Sequence, residues 1–457
     1  MKKQFYKLFM PVLMLVSATC AKAQIITTIA GDGTQGFGGD NGVATLANLS
    51  GPTGIACDAS GNVYVCDDGN HRIRRINTSG IISTIAGNGT AGSTGDGAAA
   101  TAAELFAGVG ALTFDTIGNL YLGEGNRIRQ INTSGIINTI AGTGTNGFSG
   151  DNGLATSAEF SAMAGIAIGY ENQMYICDGG NNRIRIINTV GIISTIAGNG
   201  TEGYTGDGSV ATNAEMWAPL GIAVDPAGNV FFSDYSNNVI RKINASGIIS
   251  TVVGNGGWGY TGDNGPATAA TLSGPQSLAI DAASNLYFVD QYNYIIRKVN
   301  NAGIISTVAG NGTAGYTGDN GLATAAQINT SLAGGIAVDA SGNIFITDPS
   351  DNVVRKISAG AGTGVNKIAQ GINNISVYPN PNKGQFAING ALNSNNDADV
   401  SLEVSDMFGR IIYSRTIKAQ KGIVDAQMVL PDLADGLYIL NMRSGSETNI
   451  SRIVIEK

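Results

Sequence analysis

One pattern, Ile-Ile-x-Thr followed by Ile or Val, starts at Ile25, Ile81, Ile136, Ile192, Ile248 and Ile304. The intervals of 56, 55, 56, 56 and 56 residues make residues 25–357 an array of equal modules. A unit this small cannot bury an apolar face alone, so the modules must complete one another's cores. Each holds four short β-type runs, such as residues 192–197, 221–225, 229–234 and 239–243, divided by Gly, Asn and Asp. With 66 glycines in 457 residues and 13% charged side chains, the chain reads as turn-rich and globular, neither a helical bundle nor disordered.

Four strands per module describe a propeller blade, with an open β-solenoid as the structural alternative. The phase of the repeat favours closure. A lone strand at residues 25–30 precedes the first module, and the last module stops after its third strand, at 353–357. The first strand can therefore complete the last blade, leaving no open sheet edge. The expected fold is all-β: a six-bladed β-propeller closed by an N-terminal strand, followed by a small C-terminal Ig-like β-sandwich.

Residues 220–234 (LGIAVDPAGNVFFSD), then 238–243 and 248–252, resemble the NHL repeat, and the resemblance recurs over about residues 25–357. Module two departs from it, being shorter between Glu124 and Arg129. Module three carries Gly169 where its sisters have Asp58, Asp115, Asp225, Asp281 and Asp339.

Lys2, Lys3 and Lys7 precede an apolar run at residues 8–16 and then Ala21-Lys22-Ala23, the order of a secretory signal peptide covering residues 1–23. The run is too short to span a bilayer, and no later stretch supplies a transmembrane segment. Cys20 raises the alternative of a lipoprotein, but residues 17–19 lack the large aliphatic residue such a site carries. Removing the leader takes four lysines and moves the formal charge from −8 to about −12, so nucleic acid is not an expected partner. Cys57, Cys66 and Cys177 read as small strand residues rather than a disulfide framework.

Residues 358–373 form a Gly-, Ala- and Ser-rich linker, flexible by composition. From 374 to 457 apolar and polar residues alternate around tight turns, as in a small antiparallel sandwich. Tyr378, Pro379, Asn380, Pro381, Gly384, the stretch 406–409, Gly436, Tyr438 and the basic, apolar end at Lys457 resemble the type A C-terminal sorting domain of the Bacteroidetes type IX secretion system. The resemblance implies the type IX translocon as a partner and export through periplasm and outer membrane, to be secreted or attached to the cell surface. An adhesive sandwich is the plainer alternative.

The chemistry-bearing residues mostly repeat. The G-x-G-x-x-G at residues 87–92 recurs in all six modules with no βαβ unit around it, which makes it turn chemistry. Asp40, Asp96, Asp151, Asp207, Asp263 and Asp319 supply one carboxylate per blade, suited to binding backbone N–H groups rather than calcium. Arg74, Arg129, Arg185, Arg241, Arg297 and Arg355 face Asp67, Glu124, Asp178, Asp234, Asp290 and Asp348 on the neighbouring strand, and bridging pairs are expected. His71 is the single histidine, which excludes multi-imidazole zinc sites, and no nucleophile motif surrounds it. No catalytic or metal-binding residue is assigned.

Connections of about 25 residues join each blade to the next, a length often tied to function. Their repeated aromatics, Phe37, Phe148, Tyr204, Tyr260 and Tyr316, are expected to pack the loops down. Trp217, Trp258, Tyr235, Tyr292 and Tyr294 do not repeat and gather in modules four and five, as a peptide- or sugar-binding patch would. The leading expectation is a non-enzymatic binding module for an unknown protein or glycan ligand, with no cofactor other than calcium in view. The alternative is a calcium-dependent lyase or lactonase-like enzyme with acidic residues at the propeller channel.

Overall fold

The computed structural model describes residues 24–456, except 107, 170, 331–333, 359–372, 393–395, 407–409, 431–432 and 445–446. The expected leader, most of the linker, part of the 406–409 stretch and Lys457 lie outside the described residues. The chain divides into two compact units, Met1–Ala361 and Gly362–Lys457.

In the first unit, strands Pro52–Cys57, Val63–Asp67, Arg72–Ile76 and Ile82–Ala86 pair antiparallel in chain order as one blade. Sheets of the same order follow over residues 109–141, 163–197, 219–253 and 275–309. The sixth sheet takes Ile336–Val338, Ile344–Asp348 and Val353–Ile357 from the end of the unit and Ile26–Ala30 from its beginning. Ile26 faces Ile357, Thr27 faces Lys356 and Thr28 faces Arg355 in that pairing. The first strand of each blade packs beside those of its neighbours, and the sixth returns to the first. The array is a closed six-bladed propeller.

Apolar faces of adjacent blades interlock. Cys66, Ile73 and Ala86 of the first blade are buried with Leu112, Leu122 and Ile137 of the second. Cys66 and Cys177 are fully buried and unpaired, and burial pushes the Cys57 thiol up to about 12. The long connections supply part of this core: Ala44, Ala47 and Leu49 are completely buried between the sixth blade's Phe345 and the first blade's Ile82. Each connection also forms one bridge to an outer strand, Val43 to Ile81, Ala99 to Ile136, Leu154 to Ile192, Val210 to Ile248, Pro266 to Ile304 and Leu322 to Ile25. Loop length therefore serves wedging and edge covering first.

The second unit is a sandwich of two antiparallel sheets. Asn373–Tyr378, Gln385–Ala391 and Ile423–Val429 form one; Ile411–Ala419, Ala398–Ser405, Gly436–Ser444 and Glu447–Ile455 form the other. Phe386, Ile388, Leu402, Val404, Met428 and Ile453 are among the residues buried between them.

Candidate functional site

The repeated charges are architectural. Each of the six arginines is fully buried and bonded to the Gly-Asp carboxylate of the preceding loop, at 2.6 to 2.9 Å. In five blades it also faces the carboxylate ending the second strand, from 2.9 Å for Arg74–Asp67 to 3.6 Å for Arg297–Asp290. The sixth blade departs from expectation: Arg355 pairs with Asp319 and forms no ion pair with Asp348 among the described residues. A bulge between third and outer strands frees one outer-strand N–H per blade, and in four blades the loop aspartate takes it, as Asp207 does from Thr251 at 2.8 Å. Burial opposes ionisation of Asp207, but hydrogen bonds from Thr251 and Arg241 hold it below the usual carboxylate range. Burial dominates at Asp234 and Asp290, and both are pushed up to about 6.

The repeated loop aromatics cover these arginines. The Phe37 and Phe148 rings lie 5.0 and 4.8 Å from the Arg74 and Arg185 guanidinium groups, and the Tyr204, Tyr260 and Tyr316 rings lie 5.1 to 5.4 Å from Arg241, Arg297 and Arg355. The tyrosine hydroxyls bond Thr251, Thr307 and Thr28 of the outer strands.

The carboxylate ending each second strand also fixes the loop that leads into its blade. It accepts the backbone N–H of Ser50, Phe106, Ser161, Trp217, Ser273 or Asn329, at 2.7 to 3.2 Å. The bond uses the amide alone, so where this residue is exposed its side chain is not fixed by the contact, whereas Ser50 and Ser273 are buried. Trp217 is 44% exposed here, and Phe106, which sequence reasoning passed over, is 50% exposed. Aligning the six modules at this one column would have found it.

Three of the five expected aromatics come together. Tyr235 and Tyr292, each in the turn after its blade's second strand, meet hydroxyl to hydroxyl at 2.9 Å, and Tyr235 Oη also donates to the buried Gln291 Oε1 at 3.0 Å. The Tyr292 ring lies 5.2 Å from the 65% exposed Trp258, the planes tilted by 30°. Trp217 joins the same turn through its backbone, its carbonyl accepting the Ser236 N–H at 3.2 Å. Tyr294 is placed differently, ending its turn in the left-handed region with φ 52°. Gln291 was also missed, because only the fold shows that it anchors a tyrosine of the neighbouring blade.

The channel has a different chemistry. Its two wider regions, about 180 and 250 Å³, are lined by inner-strand residues of all six blades, including Ile55, Leu112, Ile166, Ile222, Leu278 and Ile336. The lining is apolar or glycine, with Phe114 as an aromatic member and Gln276, Ser277, Thr113 and Cys57 as its polar or sulfur-bearing side chains. Among the described residues no three His, Cys, Asp or Glu side chains gather as a metal site.

In the sandwich, Asn380 ties the Tyr-Pro-Asn-Pro stretch to the last strand, donating to the Arg452 carbonyl at 2.8 Å and accepting the Val454 N–H at 2.7 Å. Gly384, at φ 86°, donates its N–H to the buried Asn382 Oδ1. Tyr378 is exposed, and the Tyr438 hydroxyl bonds the Ala434 carbonyl.

Residues 376–456 match the family model of the secretion system C-terminal sorting domain. Residues 26–94, 200–261 and 257–317 match the teneurin NHL domain model. Teneurin-1 of Mus musculus is 30% identical over 234 residues, 46% of this chain and 8% of that protein. Protein SUPPRESSOR OF QUENCHING 1, chloroplastic, of Arabidopsis thaliana is 27% identical over 290 residues, 60% of this chain and 27% of that one. The chain thus spans less than a third of either relative. A protein of unknown function from Bacteroides thetaiotaomicron VPI-5482 superposes with TM-score 0.54 at 20% identity, over 74% of this chain and 76% of its own. An auxiliary nutrient binding protein from the same organism gives 0.52 at 15%, over 74% and 77%. At these identities both structures speak to the fold alone. The first unit is a propeller of NHL-type repeats, and the second is a sorting domain that directs export through type IX secretion to the cell surface or the medium. No helix among the described residues is long and apolar enough to cross a membrane.

Proposed function

We propose that the exported propeller is a non-enzymatic binding module and that Trp217, Tyr235, Tyr292 and Trp258 form its recognition surface. The observation that carries this reading is the Tyr235–Tyr292 hydroxyl contact. It fixes two aromatic side chains of neighbouring blades beside an exposed Trp258 in a place the scaffold does not require to be aromatic. Rigid aromatics with a polar edge supply contact area at low entropic cost, which suits a sugar ring or a peptide side chain. The lyase or lactonase reading needs carboxylates gathered at the channel, and the apolar lining gives it no support.

A screen of the leader-free chain against surface glycans and extracellular proteins tests the proposal, followed by Trp217→Ala/Trp258→Ala on whichever ligand binds. Loss of affinity with unchanged thermal stability is the expected result. Undiminished affinity in the double variant would overturn it.

A further inference from the structure

The sixth blade breaks a hydrogen-bond rule that its sisters keep. In four of the other blades an asparagine sits third in the turn after the second strand, and its Nδ2 lies between two acceptors. Asn70 donates to Asp67 Oδ1 and the Gly36 carbonyl, both at 2.7 Å. Asn181 bonds Asp178 Oδ1 and Gly147 O at 2.8 and 2.7 Å, and Asn237 bonds Asp234 Oδ1 and Gly203 O at the same two distances. Asn293 donates to the Gly259 carbonyl at 2.9 Å. The second blade has a shorter turn.

In the sixth blade this place is held by Asp351, with Asp348 as the strand-ending carboxylate and Gly315 at the corresponding loop position. An amide nitrogen with two hydrogens has been replaced by an oxygen with none, opposite groups that only accept. Asp348 is 1% exposed, and among the described residues its Oδ1 has no hydrogen-bond partner; Asp351 Oδ2 has none either. The remaining Asp348 oxygen accepts the Asn329 N–H at 3.0 Å. Arg355 offers no compensation, because its guanidinium is committed to Asp319, Gln327 O and Thr317 O at 2.7 to 2.8 Å. Burial, with the Asp351 charge adding to it, raises Asp348 well above the usual carboxylate range. Two buried acceptor oxygens without a donor are costly unless a positive species lies between them.

We propose that the 348–351 turn is a divalent-cation site in which Asp348 Oδ1 and Asp351 Oδ2 are the carboxylate ligands, suited to Ca²⁺. Hard oxygen donors from carboxylate, carbonyl and water are what Ca²⁺ takes, and half-buried Asp351 gives it an entry path. The place matters: neighbouring Asn352 accepts the Gly51 N–H at 3.0 Å, so the turn clasps the loop that follows the N-terminal strand. A cation here would pin the seam of the ring. The site is separate from the aromatic surface and stands or falls without it.

The leader-free full chain, stripped with EDTA, would be melted with and without millimolar CaCl₂ or MgCl₂ and titrated calorimetrically with CaCl₂. Calcium is expected to raise the Tm by about 2 °C or more, since a ligand that binds only the folded state stabilises it. Asp351→Asn restores the arrangement of the sister blades, so it should fold, melt in EDTA at or above the wild-type temperature and ignore calcium. Asp348→Asn should likewise lose the response. A wild-type Tm indifferent to both cations, leaving the two carboxyls to share a proton, would overturn the proposal, as would a calcium response that survives in Asp351→Asn.

Discussion

Ile26 pairs with Ile357 across the seam of the propeller, and both side chains are completely buried. The last blade thus depends on a strand made at the other end of the unit. Ile26→Asp places an unpaired charge in that core and should lower the Tm by at least ~10 °C. Limited proteolysis should then cut first in the sixth blade. Wild-type melting of the variant would mean the seam does not hold the ring.

Removing one buried arginine leaves two carboxylates uncompensated. Arg241→Met should cost about 3–5 kcal/mol, read as a lower urea midpoint. Arg241→Lys should recover little of it, because a single ammonium cannot serve Asp207, Asp234 and the Thr205 and Glu215 carbonyls together.

Tyr235→Phe deletes both hydroxyl bonds while keeping the ring. Tyr292 then loses its anchor, and affinity for the ligand of the aromatic surface should fall about fivefold, the worth of roughly one hydrogen bond. The Tm should move by less than ~2 °C. A large Tm loss with full affinity would assign the pair to packing instead.

Asp290 has a folded-state value of about 6, above its unfolded value of roughly 4, so the folded chain holds the proton more tightly. Its contribution to stability is therefore present below pH 4 and is lost as pH rises through 6. In EDTA buffer the wild type should melt at a lower temperature at pH 8 than at pH 5. Asp290→Asn should narrow that gap, as measured by calorimetry at the two pH values.

Deleting residues 374–457 should strand the protein in the periplasm, seen by cell fractionation. Asn380→Ala, which removes two bonds to the last strand, should reduce export without changing the melting of the propeller.

The ring was legible because 56-residue spacing and four β-branched runs per module leave few architectures open, and because the lone strand at residues 25–30 matched a missing fourth strand. The buried arginines were legible through repetition, but the second carboxylate on each, supplied by a loop some 34 residues away, was not. Adjacency between blades was also out of reach: nothing in the order of residues says that Gln291 meets Tyr235. Asp351 stands out only against the asparagines of four sister turns, whose amide hydrogens an aspartate cannot supply.

The ring of strand-end carboxylates binds an amide hydrogen at six loop positions, and the contact itself does not involve the side chains, of which Phe106 and Trp217 stand exposed. Ser50 and Ser273 are buried and tied into the packing, but at the exposed positions any residue but proline keeps the contact. New specificities could then evolve, or be engineered, by drift at the exposed members of this set on an unchanged frame.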